Sequence, residues 1–417
     1  MLQTLKYIIL ITLLTPWSAL AQKEYAHEVM NVMCSDFFAG RGYVEDGADK
    51  GASYIISELK KHGISTFPGK KSYVQNYNFD VNTFPDSIVV KLDQNVLEAG
   101  ADYILNPNSG SSIGEYAVVN VSPDNFREKI RDLKSNAKGK IAVFDHKNLK
   151  ARDSIGMFKQ LAVEVTRFCP TIWLEKNKLT YSVGRRQMKY AMVVVKAEVY
   201  KTCQSITLNI RNEFKENYPS KNVIGFIPGK RKRKYIVITG HYDHLGKMGQ
   251  AIFPGANDNA SGIAMLLSMG KYYTTHQPKY SIVLLFFSGE EAGLEGSKYF
   301  VKHPFFGLNK IRFLLNIDIL GSAQDGITAV NGTVHKRHFK LLSKINEKYN
   351  YLPKVKKRGP TQNSDHYYFS QTGVPSFFVY SMGGVKNYHD IYDTAENTPL
   401  DNFNNVMQLY TRFLGKL

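Results

Sequence analysis

Cysteine is scarce. The 417-residue chain carries Cys34, Cys169 and Cys203 only, an odd number that excludes a scaffold stapled by disulfides. A Cys169 to Cys203 bridge is conceivable, but three small buried residues are the plainer reading. Long apolar runs are missing too: no stretch approaches the roughly 20 apolar residues of a membrane span, so no stable membrane insertion is expected. Acidic residues are outnumbered, 36 Asp and Glu against 54 Lys and Arg, giving a formal charge of +18. Such a surplus suits an anionic partner. Its densest runs, Lys230 to Lys234 and Lys354 to Arg358, nevertheless read as solvated turns. No basic patch interleaved with aromatics accompanies them, so no nucleic-acid partner is expected. Repeats and low-complexity segments are also absent. What is present is 43% hydrophobic and 22% charged residues, enough for a large core and two domains.

The N-terminus has a basic start at Lys6, an apolar run from Tyr7 to Leu14, and Ala19-Leu20-Ala21 before Gln22. This is the layout of a signal peptide over residues 1–21, with a mature chain beginning at Gln22. The run is too short to cross a bilayer, and no Cys follows closely enough for a lipid anchor. The expectation is an exported protein, periplasmic or extracellular.

Apolar runs at 222–227, 235–239, 282–287, 313–317 and 376–380 predict strands, and 261–273, 295–302, 336–349 and 404–414 predict helices between them. With 206–210 as a further strand, this rhythm predicts an α/β domain with a mixed, mostly parallel central sheet flanked by helices. It takes in residues 22–79 and 205–417. Between them, 80–204 reads as short strands and loops, an inserted β-rich α+β domain whose clearest strands are 139–144 and 191–195.

Chemistry concentrates in the loops after the apolar strands, where ligands bind in open α/β sheets. Ser281 to Phe287 runs into Glu290 and Glu291, adjacent carboxylates that repel and call for a cation, a shared proton or an Arg. Tyr235 to Gly240 runs into His241 and Asp243, and the same connection carries Asp258 before a helix. Leu314 to Ile317 runs into Asp318, and the strand ending near Tyr380 leads to His389. Two imidazoles and several carboxylates at one sheet edge suit two divalent ions, Zn²⁺ best. Asp258 is placed to bridge them, and Asp243 to accept the second ring N–H of His241. Taken singly, each is ordinary: a loop His or Asp is more often a surface or capping group, and Asp258 could cap its helix. The constellation is what carries the reading.

The stretches His241-Tyr242-Asp243-His244-Leu245-Gly246, Gly255 to Gly262, Ser288 to Ser297, Asn316-Ile317-Asp318 and Tyr388-His389 resemble the M28-type zinc aminopeptidases. Asn222-Val223-Ile224-Gly225, Ser364-Asp365-His366 and Gly40-Arg41-Gly42 are also similar to the family. Asp390-Ile391 departs from the Thr-Pro frequent in relatives. The resemblance implies a zinc-peptidase fold with one metal on His241 and Asp318, the other on Glu291 and His389, Asp258 between them, and Glu290 as general base. It further implies peptide substrates with a free N-terminus, and it likens the insert to a protease-associated domain.

Two alternatives stay open. Glutaminyl cyclases share the fold and use a single zinc, and receptor-like relatives are inert binding proteins that lose ligands. The continuation Gly293-Leu294-Glu295-Gly296-Ser297 favours the peptidase. Oligomeric state and side-chain preference are not defined by the motifs.

Overall fold

A computed structural model describes residues 22–147 and 149–417. The expected signal peptide, residues 1–21, lies outside the described residues. Two eight-stranded sheets form the molecule.

The first sheet runs in the order Val74–Thr83, Glu213–Ile227, Tyr280–Phe287, Arg231–His241, Ile311–Ile317, Ser376–Met382, Gly326–Val330 and Val355–Lys357. The four strands from Tyr280–Phe287 to Ser376–Met382 are mutually parallel; Glu213–Ile227 and Gly326–Val330 join them antiparallel at either side, and Val355–Lys357 runs parallel to Gly326–Val330. This is the mixed, mostly parallel sheet that the sequence predicts.

The strand Tyr280–Phe287 shows why its residues choose this state. All of it is buried. Its alternation sends Ile282, Leu284 and Phe286 into one core cluster and Val283, Leu285 and Phe287 into another. Both faces are therefore covered, as an unbroken apolar run requires. The cluster holding Ile282 also takes in the helices Ser261–Thr275 and Phe403–Gly415. Truncating Leu284 to Ala at such a site costs about 2–5 kcal/mol.

The second sheet is ordered Asn95–Val96, Val89–Leu92, Ser205–Ile210, Ser112–Val121, Lys140–Phe144, Thr171–Glu175, Met192–Lys196 and Tyr103–Leu105. Its four strands from Ser112–Val121 to Met192–Lys196 are parallel. The helices Phe126–Ser135 and Arg152–Val165 fall between the first three of them in the chain.

Four sequence expectations change. The strand Ser205–Ile210 pairs with Val89–Leu92 and Ser112–Val121, so it belongs to the insert and not to the first sheet. The strand Val74–Thr83 runs past residue 79 in the first sheet. The transitions thus fall after Thr83 and before Glu213, because each strand's hydrogen bonds continue beyond the point where composition shifts. The insert also holds its helices, Phe126–Ser135 and Arg152–Val165, in stretches that read as short strands and loops, within the α+β class expected. Finally, Arg231 to Lys234 open a strand and Val355–Lys357 is a short edge strand. Arg231 to Lys234 and the two lysines of the edge strand are exposed, which made them read as turns.

The insert is not packed apart. Leu245, Met248, Ala251 and Phe253, from the hairpin of Gly246–Met248 and Ala251–Phe253, lie in the insert's core cluster. Cys34, Cys169 and Cys203 are free thiols. Among the described residues no helix is long and apolar enough to cross a membrane.

Candidate metal centre

Four parallel strands of the first sheet deliver its chemistry at their carboxyl ends. His241 ends Arg231–His241, Asp318 follows Ile311–Ile317, Glu290 and Glu291 follow Tyr280–Phe287, and His389 lies in the loop after Ser376–Met382. Asp258 enters from the segment before the helix Ser261–Thr275, with extended backbone at φ −114 and ψ 96. It does not cap that helix.

The structure brings these side chains together. His241 Nε2 lies 3.1 Å from Asp258 Oδ1 and 3.2 Å from Asp318 Oδ1. His389 Nε2 lies 3.2 Å from Asp258 Oδ2 and 3.2 Å from Glu291 Oε2. Asp258 thus turns one oxygen to each imidazole. Glu290, the neighbour of Glu291, has a carboxylate oxygen within 4.8 Å of the donor atoms of His241 and Asp318.

Both imidazoles are oriented by main-chain carbonyls. His241 Nδ1 is 3.1 Å from the Asp243 carbonyl oxygen, and His389 Nδ1 is 2.9 Å from that of Tyr181. A carbonyl can only accept, so each Nδ1 carries hydrogen and each Nε2 faces the carboxylates.

Asp243 differs from its expected part. Its carboxylate is 3.8 Å from His241 Nδ1, beyond hydrogen-bond reach, and the main-chain carbonyl takes that place. The carboxylate instead accepts the Tyr43 hydroxyl at 2.6 Å and the amides of Glu290 and Glu291 at 3.3 and 3.4 Å. Asp243 therefore braces the loop that carries both glutamates.

Several further residues stand out in the sequence only within motifs, with Ser364-Asp365-His366 read as shaping a pocket or holding a loop. His244 Nδ1 lies 2.8 Å from Glu291 Oε1, turning the other oxygen toward His389. Ser364 donates to Asp318 Oδ2 at 2.7 Å and accepts from Asn316 at 2.7 Å. Asp393 accepts the amides of Asn257 and Asp258 at 2.8 and 3.1 Å. Arg41 is fully buried and donates to the carbonyls of Met33, Tyr242, Pro254 and Gly255. It ties the segment after His241 to the segment before Asp258. Its flanking glycines are needed for close approach: a Cβ on Gly42 would stand 2.3 Å from the Gly246 Cα.

The electrostatics follow from burying this many acids. Among the described residues, Asp258, Glu291 and Asp318 have histidines as their only ion-pair partners. Burial alone would depress His389, but the Glu291 and Asp258 carboxylates carry it up to about 11. His241 is likewise raised against its burial, by Asp318 and Glu290. Burial would raise Glu291, yet His389 brings it down to about 2. Burial, with Glu291 and Asp318 adding to it, holds Glu290 well above the usual carboxylate range.

This donor set fits divalent metal. Two imidazole Nε2 atoms and buried carboxylate oxygens converge, and among the described residues the carboxylates' ion-pair partners are histidines. A mixed nitrogen and oxygen set suits zinc.

Fold and site together define an α/β protein with a histidine and carboxylate centre at the sheet's carboxyl edge. Residues 222–414 match the profile of Peptidase family M28. A probable zinc metalloprotease of Pyrenophora tritici-repentis is 41% identical over 92 residues, 21% of this chain and 19% of its own. Aminopeptidase YwaD of Bacillus subtilis is 24% identical over 262 residues, 60% of this chain and 55% of its own. These matches span from about a fifth to about half of the curated relatives' length. The solved structure of BSAP, a zinc aminopeptidase from Bacillus subtilis, superposes with a TM-score of 0.67 at 18% identity, covering 94% of each chain. That likeness shows the fold across both sheets.

Proposed function

We propose that the protein is a zinc aminopeptidase, removing N-terminal residues from peptides at a centre of two zinc ions. The observation that carries this is the division of Asp258, whose two oxygens lie 3.1 and 3.2 Å from the Nε2 atoms of His241 and His389. One ion would be held by His241 and Asp318, the other by Glu291 and His389, with Asp258 between them. The names of the relatives, zinc metalloprotease and aminopeptidase, support the same reading.

Bound as a pair, two divalent cations would supply Lewis-acid polarisation of the scissile carbonyl and would acidify water. The rest falls to the chain. Glu290, whose carboxylate lies within 4.8 Å of the donor atoms of His241 and Asp318, takes a proton from the attacking water and delivers it to the departing amine. Asp243 keeps Glu290 in place through its amide. The acidic centre attracts a free α-amino group, which favours cleavage at the N-terminus.

The N-terminal segment 1–21 serves as an export signal in this reading, with action in the periplasm or outside the cell. The unit spanning roughly 84–212 is taken as an insert of the protease-associated kind. Its parallel strands have helices between them, in a unit expected as a β-rich α+β domain.

The test is metal content of the purified protein, together with hydrolysis of a panel of aminoacyl anilides with and without chelator. Two zinc equivalents and chelator-sensitive release are expected. One equivalent without release would point to cyclase chemistry, and no metal would overturn the catalytic reading.

A further inference from the structure

A short segment of the insert crosses to the metal centre. The Tyr181 amide donates to the His389 carbonyl at 3.0 Å, and the Tyr181 carbonyl accepts from His389 Nδ1 at 2.9 Å. Main chain and imidazole of one proposed ligand are thus held by one residue of the other sheet's unit. His389 is a non-glycine residue at φ +55, a backbone that persists only where its surroundings fix it.

Three contacts dock this segment. Lys178 makes an ion pair with the buried Asp390 and donates to the Lys386 carbonyl at 3.0 Å, so it grips the His389 loop on both sides. The Arg185 guanidinium pairs with Glu295 at 2.5 Å, at the start of the helix that follows Glu290 and Glu291. The Tyr181 ring stacks on Phe253 at 4.7 Å, in the hairpin preceding Asp258.

We infer that segment 178–185 of the insert is a positioning element for His389, so that one half of the metal centre is complete only when the insert is docked. The asymmetry carries the argument. His241 takes its orienting carbonyl from Asp243, two residues away in its own loop, whereas His389 takes its own from a residue 208 positions distant. Loosening the insert therefore releases the His389 and Glu291 side and leaves the His241 and Asp318 side intact. The inference rests on the two-ion reading above and adds to it a dependence between domain docking and metal affinity.

The experiment is titration of the metal-free full chain with Co²⁺, whose visible bands report each site. Four proteins are compared: wild type, Lys178→Ala with Arg185→Ala, Lys178→Arg with Arg185→Lys, and His389→Ala. The double alanine variant is expected to keep one ion at wild-type affinity and to bind the second about 10–100-fold more weakly, as for other lost partners of a ligating histidine. Its one-ion spectrum should match that of His389→Ala, and the conservative pair should recover the second ion. Both ions binding at wild-type affinity, or both weakening equally, would overturn the inference. If the double variant does not fold by circular dichroism, Lys178→Ala alone, which removes the hold on the His389 loop at Asp390 and Lys386, is read in the same way. Wild-type stoichiometry separately tests the two-ion reading. With a single ion in wild type that reading fails, and unchanged affinity of that ion in the variant would then overturn the inference too.

Discussion

Tyr43 donates its hydroxyl to Asp243 at 2.6 Å, across 200 residues of chain. Both groups are buried, and burial pushes the Asp243 carboxyl up to about 6. Tyr43→Phe keeps the ring packed and removes the strongest donor to a carboxylate that braces the Glu290 and Glu291 amides. A hydrogen bond to a charged group is worth about 1.5–3 kcal/mol, and urea denaturation should show a loss of that order. Turnover should fall more than KM rises, because the loop carrying the proton acceptor is what loosens. An unchanged kcat would remove Asp243 from any part in holding Glu290.

Glu290 has no ion-pair partner among the described residues, although it sits beside Glu291, which has two. This division fits a group that moves protons next to one that binds. Glu290→Gln should cut kcat by about 10²–10⁴-fold, the usual worth of a positioned acid or base. Zinc content measured by mass spectrometry should stay at the wild-type value. Retained turnover would assign the proton transfer elsewhere.

Much of this candidate site was legible in the sequence because all of its proposed ligands but Asp258 follow an apolar strand, and a parallel sheet aligns the ends of its strands. His241, Asp258, Glu290, Glu291, Asp318 and His389 could be gathered on one edge from pattern alone. Their partners could not. Tyr43, Tyr181 and Arg41 reach the centre from far along the chain, and two of the contacts use main-chain carbonyls, for which no residue type is diagnostic. Arg41 stood in a noticed motif, but four backbone carbonyls as its partners leave no mark in sequence. His244 was the nearest miss, since its spacing from His241 placed it at the same edge. The insert's helices were lost for a different reason. In Phe126–Ser135 only Leu133 is buried, so its apolar face is too narrow to show as a period.

Ser364 connects Asn316 to Asp318, with 2.7 Å contacts on both sides. Ser364→Ala leaves Asp318 Oδ2 without its donor. Asp318 should then be held less firmly, and zinc affinity on the His241 side should fall about 10–100-fold. Competition with a chromophoric chelator would measure this. Weakening confined to the other ion would contradict the pairing of His241 with Asp318.

Without metal, stability should fall as pH rises. Burial lifts Asp243 to about 6 and both Asp365 and Asp393 to about 7. An unfolded aspartate titrates near 3.9, so between about 4 and 7 the folded chain binds more protons than the unfolded one. These groups stabilise fully below about 4, and that contribution is lost as pH climbs through their folded values. His389, raised to about 11 against its burial by Glu291, acts with the same sign: its contribution is complete below about 6.5 and is lost above it. Glu291, lowered to about 2 by His389 against its burial, acts in the opposite sense, but only at pH below about 4.5. Burial lowers His366 to about 4, so up to about pH 6.5 it acts against them, whereas from pH 6.5 to 8.5 Asp365, Asp393 and His389 agree. The chelator-treated protein should lose at least about 5 °C in Tm over that interval, given how stability maps onto Tm in large domains. Zinc binding requires neutral imidazole and ionised carboxylate, so it releases protons and strengthens as pH rises. The gap between zinc-loaded and metal-free Tm should accordingly widen from pH 6.5 to 8.5 in a thermal scan. A metal-free protein that gained stability over the same interval would mean that these buried carboxyls are ionised in the fold with partners other than the ones seen.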